Sequence, residues 1–210
     1  MHLCWICGRR DADGAETLPG MPASTGLVCR ECHETRVRSY AAAWQRLSTH
    51  LQANWRDISK RGQFDLSRVF ADGTAVRALE VHLHFVELLG CQLRRQQLRV
   101  DLEPFAAALR NTTPHPEVTL LIADATVRSG RLVSHASEVS VLRRDDEVYS
   151  ALWTHLQHPL AVKICYLKRG APVREPEGFP WHPSRQRKIV KLSPYKGDTQ
   201  PLIARRDLQI

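Results

Sequence analysis

Several features that mark broad protein classes are missing from this 210-residue chain. Residues 1–25 hold no apolar run like a signal-peptide core, and no stretch approaches the roughly 20 apolar residues needed to span a bilayer. A soluble, cytoplasmic chain is expected. There is no internal repeat, no Gly-rich phosphate loop, no G-x-S-x-G elbow and no paired motif for nucleotide hydrolysis. Six cysteines are too few for a disulfide scaffold at this length, and four of them form two close pairs, which in a reducing compartment points to metal. What is present is ordinary globular material, 43% hydrophobic and 25% charged, so wholesale disorder is excluded and a genuine core is affordable.

Charge is unevenly placed. Between Lys163 and Ile210 eleven basic residues face four acids, giving +7 of the formal +8. Six of the twelve prolines fall there (Pro172, Pro176, Pro180, Pro183, Pro194, Pro201), which excludes long helices and predicts an extended arm. Tyr166, Phe179, Trp181 and Tyr195 alternate with the basic groups. Such a mixture suits polyanions, because cations meet phosphates while rings stack on bases. Arg185, Arg187, Lys188, Lys191 and Trp181 are the candidate nucleic-acid contacts. A tail that wraps and solubilises its own domain, or one that meets acidic proteins, accounts for the same charges.

Cys4 and Cys7 (CWICG), then Cys29 and Cys32 (CRECH), spell C-x2-C, 21 residues, C-x2-C. Four thiolates at that spacing can close a tetrahedral shell, and soft sulfur ligands favour Zn(II), here as a structural cofactor. Gly8 permits a tight turn under the metal, and the spacer (Gly14, Pro19, Gly20, Pro22, Gly26) holds only short strands and turns. The second pair falls at a helix start, where the dipole favours thiolate. Two rivals remain. Cys29-Arg-Glu-Cys32-His33 also spells a c-type haem attachment motif, and either pair could act as a redox dithiol.

A knuckle, a short hairpin and a helix bearing the last two ligands resembles a treble-clef zinc finger. The wording LVCRECHETR is similar to the metal-binding core of HNH endonucleases that carry a four-cysteine zinc, over residues 4 to about 38. The resemblance implies a second, catalytic metal held partly by the residue at His33, with a histidine base between the cysteine pairs. Residues 8–28 contain neither histidine nor asparagine, and Asp11, Asp13 and Glu16 sit too near the first knuckle to replace them. The likeness is therefore to the scaffold, with His33 on the helix surface or behind the ligands.

Residues 31–58 lack proline and glycine, and Val37, Trp44, Leu51 and Ile58 recur every seven residues with Tyr40, Leu47 and Trp55 between them. This stripe predicts a helix that either lies on the larger domain or pairs two subunits as a homodimer. Arg56, Lys60, Arg61 and Gly62 end it. A second helix is expected after Asp72-Gly73, with Val76, Leu79, Leu83, Val86, Leu89 and Leu93 on its buried face. His82 and His84 diverge around it and read as packing or surface residues, and Cys91 and Cys165 as buried free thiols. Asp101 is placed to cap a short helix through Leu109. Val118–Ala125 and Leu132–Leu142 read as a hairpin about Ser129-Gly130. Asp145 begins a helix carrying Val148, Tyr149, Leu152, Trp153 and Leu156; Leu160–Leu167 is a buried strand, and Lys188–Leu192 an additional edge strand.

These expectations add up to an α+β chain: a zinc module (1–38), a connecting amphipathic helix (39–62), an α+β domain with a small, mostly antiparallel sheet (63–168), and a basic, Pro-rich arm (169–210). Asp124, Ser134, His135 and Glu138 have only the spacing of ordinary alternating strand faces, so no catalytic residues are assigned. The expected function is a zinc-stabilised, non-catalytic nucleic-acid-binding regulator or accessory protein of DNA or RNA metabolism. The alternatives are a protein-interaction adaptor and an HNH-like nuclease.

Overall fold

A computed structural model describes residues 4–9, 28–125, 139–144, 147–171, 178–185 and 188–193. The chain is α+β. Its first helical run starts with α1 (Arg30–Cys32), widens into a π-turn at His33–Val37, continues as α2 (Arg38–Ala53), and resumes after Asn54 as α3 (Trp55–Arg61). The interruption is local: at φ −110° and ψ 15°, Asn54 leaves helical geometry. Gly62 closes α3 at φ 64°, a left-handed conformation that glycine adopts without a Cβ penalty. All seven stripe residues, Val37, Tyr40, Trp44, Leu47, Leu51, Trp55 and Ile58, are buried within the chain.

Their principal partner is α5 (Thr74–Arg95), reached through β1 (Gln63–Asp65) and α4 (Leu66–Val69). Trp44 meets Phe85 edge-on, with ring centroids 4.8 Å apart. Leu83, Val86, Leu89 and Leu93 are fully enclosed and Leu79 is partly so, but Val76 is 61% exposed. Val76 is thus a correction to the expected buried face; it lies in the first turn, and burial along α5 begins only at Ala78. His82 and His84 are both buried and look toward different neighbours, as residues 200° apart on a helix must. Asp101 accepts the Glu103 N–H at 3.0 Å and so caps α6 (Glu103–Asn111).

The main sheet has the order β2-β5-β4-β3, wholly antiparallel: β2 (Val118–Asp124), β3 (Ser140–Arg144), β4 (Glu147–Gln157) and β5 (Leu160–Leu167). Two expectations fail here. Strands β2 and β3 stand at opposite edges and do not form a hairpin; the connection containing Ser129-Gly130 lies outside the described residues. The segment expected to be helical after Asp145 is β4. Its inner position explains the misreading: with Val148 and residues 150–154 all buried, the polar alternation of a half-buried strand is absent. The apolar positions at i, i+4 and i+5 then imitate a helix.

The Pro-rich segment does not leave the body as an arm over its described residues. Trp181 and Leu120 exchange both backbone hydrogen bonds (3.0 and 2.7 Å), and Ser193 N–H bonds Ile122 O at 2.8 Å. Strand β6 (Ile189–Lys191) joins not the main sheet but β1, with Gln63 opposite Lys191 and Asp65 opposite Ile189. His182 anchors the segment from inside. Its Nε2 lies 3.0 Å from the His115 carbonyl oxygen, the His115 N–H donates to His82 Nε2 at 3.1 Å, and the His82 and His182 rings are 4.9 Å apart. One continuous core therefore runs from Cys4 to Val190. Among the described residues, no helix is long and apolar enough to cross a membrane.

Candidate metal centre and basic edge

The first cysteine pair sits in a tight knuckle. The Gly8 N–H bonds Cys4 O at 2.9 Å, the Cys4 N–H bonds Arg9 O at 2.7 Å, and Gly8 takes φ 71°, which a side chain would strain. The second pair opens α1: Cys29 is its N-cap in extended geometry and Cys32 its last residue. The two meet directly, because the Cys29 N–H points at Cys4 Sγ, 3.3 Å away.

All four sulfur atoms lie within 4.8 Å of one another, and Cys7 Sγ is 3.7 Å from Cys29 Sγ. A tetrahedral ion with bonds of about 2.3 Å requires sulfur–sulfur edges of about 3.8 Å. Cys4, Cys29 and Cys32 are buried, while Cys7 stands at the exposed rim. Burial pushes the Cys29 thiol up, and pushes Cys32 up far more strongly, with the neighbouring thiols adding to the effect. For Cys4 burial also works upward, but the backbone amides of Cys7, Cys29 and Ile6 outweigh it and bring the thiol to about 7. One thiolate is accessible near neutrality; four in so small a volume need a cation between them. Four protein donors leave no open coordination position, so the cluster is built for a structural metal ion.

Trp5, between the first two cysteines, fastens the knuckle to the core. Its ring rests on Gly90 of α5, so close that a Cβ there would lie 2.7 Å from one ring carbon and 2.9 Å from the next. Outside, Arg9 and Glu31 form an exposed ion pair at 3.3 Å. His33 is half-buried on the π-turn and its imidazole makes no hydrogen bond among the described residues. Asp11, Asp13 and Glu16 fall outside those residues.

The expected nucleic-acid contacts divide. Trp181 is 7% exposed and its indole cannot serve as a base-stacking platform, a correction whose cause is the two-bond bridge to Leu120. Arg185 ends a 3-10 turn (Pro183–Arg185); its side chain and the whole of Arg187 lie outside the described residues. Lys188 and Lys191 are exposed at the two ends of β6. Sequence reasoning missed what they stand beside. The Leu192 N–H bonds Gly62 O and the Leu66 N–H bonds Lys188 O, both at 2.8 Å, which sets β6 against the end of α3 and the start of α4.

Arg61, Arg68, Lys188 and Lys191 thereby share one edge of the molecule, together with Phe179, 48% exposed, whose ring lies 5.1 Å from Lys191 Nζ. The only trace of this in the sequence is the basic end of α3, which by itself reads as a helix terminus. A cleft of about 250 Å³ opens on the same edge between α3, α4 and β6. No protein-family model, curated protein or solved structure matches the chain.

Proposed function

We propose that this is a zinc-stabilised, non-catalytic nucleic-acid-binding protein, an accessory or regulatory factor rather than an enzyme. Zinc is the ion favoured by an all-sulfur, closed tetrahedral set. The observation that carries the nucleic-acid reading is the β1–β6 pairing, which gathers cations from residues 61–68 and 188–191 onto one edge beside an exposed ring. Phosphate recognition rests on such clustering, since each neutralised phosphate releases condensed counterions. Lys188 and Lys191 keep the role expected of them, Arg61 and Arg68 join them, and Phe179 replaces Trp181 as the stacking ring.

Filter binding of the full chain to DNA, RNA and heparin at several salt concentrations tests this reading. Replacing Arg61, Arg68, Lys188 and Lys191 together by Ala removes four phosphate contacts. The log–log salt slope should flatten by about 3 units, slightly more on duplex than on single strands. An unchanged slope moves the interface elsewhere. Absence of affinity even at low salt favours an adaptor for acidic proteins.

A further inference from the structure

The cleft beside the basic edge differs in character from the edge itself. Its lining is mostly polar, with His50, Asn54 and Gln63 among the walls, and its apolar floor is confined to Ile189, 43% exposed, beside the buried Ile58 and Phe64. Over this floor stand Arg61 and Arg68, and neither has an ion-pair partner among the described residues. Two carboxylates also line the cleft, and they are not equivalent. Asp65 is occupied structurally, accepting the Ser67 N–H at 2.8 Å and the Ser67 hydroxyl at 2.7 Å. Asp57, exposed in the first turn of α3, forms no ion pair among the described residues.

We propose that this cleft receives one unpaired nucleotide, with its phosphate on Arg61 and Arg68, its base over Ile189, and its polar edge at Asp57. Guanidinium groups match phosphate oxygens in bidentate fashion, and an exposed aliphatic floor suits the face of a flat ring. At about 250 Å³ the cleft is smaller than the usual ligand pocket of roughly 300–1,000 Å³, so it takes a single base with its sugar and phosphate at the rim, not a paired step of duplex. A carboxylate only accepts hydrogen bonds, so the base edge turned to Asp57 must donate. Guanine, with adjacent N1–H and N2–H donors, fits this requirement, whereas uracil offers a single donor between two carbonyls. Phe179 and Lys191, on the same edge outside the cleft, then carry the neighbouring unit of a single strand. The inference rests on the nucleic-acid reading above and adds to it a preference for unpaired, guanine-containing strands.

The test uses the full, metal-loaded chain and calorimetric or NMR titration with GMP, UMP and inorganic phosphate, alongside a single-stranded oligonucleotide. GMP should bind at least tenfold more tightly than phosphate and several-fold more tightly than UMP. Arg68→Ala and Ile189→Thr should each weaken GMP at least fivefold with little change in the thermal midpoint, since Arg68 is exposed and threonine is an uncharged strand former opposite Asp65. Asp57→Asn should bring GMP and UMP together, and Lys191→Ala should weaken the oligonucleotide while leaving GMP unaffected. Oligonucleotide binding without GMP binding, or phosphate binding as tightly as GMP, overturns the cleft assignment and leaves the nucleic-acid reading intact. GMP binding without oligonucleotide binding overturns the nucleic-acid reading and keeps the cleft, while no binding by either refutes both.

Discussion

Gly90 is a glycine in the interior of a 22-residue helix, where alanine would ordinarily be preferred by about 1 kcal/mol. The structure reverses that preference. A methyl group at position 90 would stand 2.7 and 2.9 Å from two carbons of the Trp5 ring and 3.4 Å from Phe105. Ordinary carbon–carbon contact is about 3.5–4.0 Å, so the indole has to move by most of an ångström. Overpacking of this kind costs about 1–3 kcal/mol, which cancels or exceeds the helix-propensity gain. Gly90→Ala should therefore leave the protein unchanged or destabilise it by up to about 2 kcal/mol. In a Trp5→Ala background the obstacle is gone, and the same substitution should stabilise by about 1 kcal/mol. Urea midpoints of the four chains, compared at constant m, measure this sign reversal as a coupling of about 1–3 kcal/mol. Because Trp5 lies between Cys4 and Cys7, Gly90→Ala should also speed release of metal to a chelator. A stabilising Gly90→Ala in the parent chain, or no change of sign without Trp5, would refute the docking of the knuckle on α5.

Elemental analysis should find one zinc per chain, absent from Cys29→Ala. Zinc contributes on the order of 10–16 kcal/mol in small zinc peptides, so this variant should also lose the fixed environment of Trp5 in fluorescence. Plasmid or single-stranded DNA incubated with Mg(II) or Mn(II) should remain intact, and cleavage abolished by His33→Ala would reinstate the nuclease reading. Acid should destabilise the fold. Burial, with His182 beside it, lowers His115 to about 4; burial, with His155 near, lowers His84 to about 3; burial likewise holds His82 well down. Below about 6.5 the unfolded chain binds protons that these rings refuse, so their stabilisation is complete above that pH and is lost as pH falls toward 4. Glu87 opposes them, since burial raises it to about 7 and the folded chain gains from protonation as pH drops from there to its ordinary 4.5. Melting between pH 7 and 5 should show a net loss that is steeper in Glu87→Gln; equal slopes in the two chains would deny Glu87 that opposing role.

Much of the metal cluster was legible in the sequence because its information is local. C-x2-C places two sulfurs one turn apart whatever surrounds them, so only the meeting of Cys4 with Cys29 had to come from folding. The same holds for the seven-residue stripe from Val37 to Ile58, whose burial follows from helix periodicity, and for the Asp101 cap, which acts two residues along the chain. The α+β class followed from the succession of such segments. Residues 148–154 could not be read in this way, because a strand covered on both faces loses the alternation that identifies it.

By itself the sequence determined which residues could ligate metal, which helix face would be buried, and that most of the excess charge falls after Lys163. Tertiary structure alone decided where that charge is presented. Pairing of Gln63–Asp65 with Ile189–Lys191 joins segments more than 120 residues apart and sets Lys188 and Lys191 beside Arg61 and Arg68, while the bridge to Leu120 draws Trp181 into the core. Backbone hydrogen bonds make that pairing, and they are nearly indifferent to side-chain identity. The sequence can therefore mark Lys188–Leu192 as a strand without naming its partner, and a basic stretch that reads as a free arm becomes one wall of a cleft.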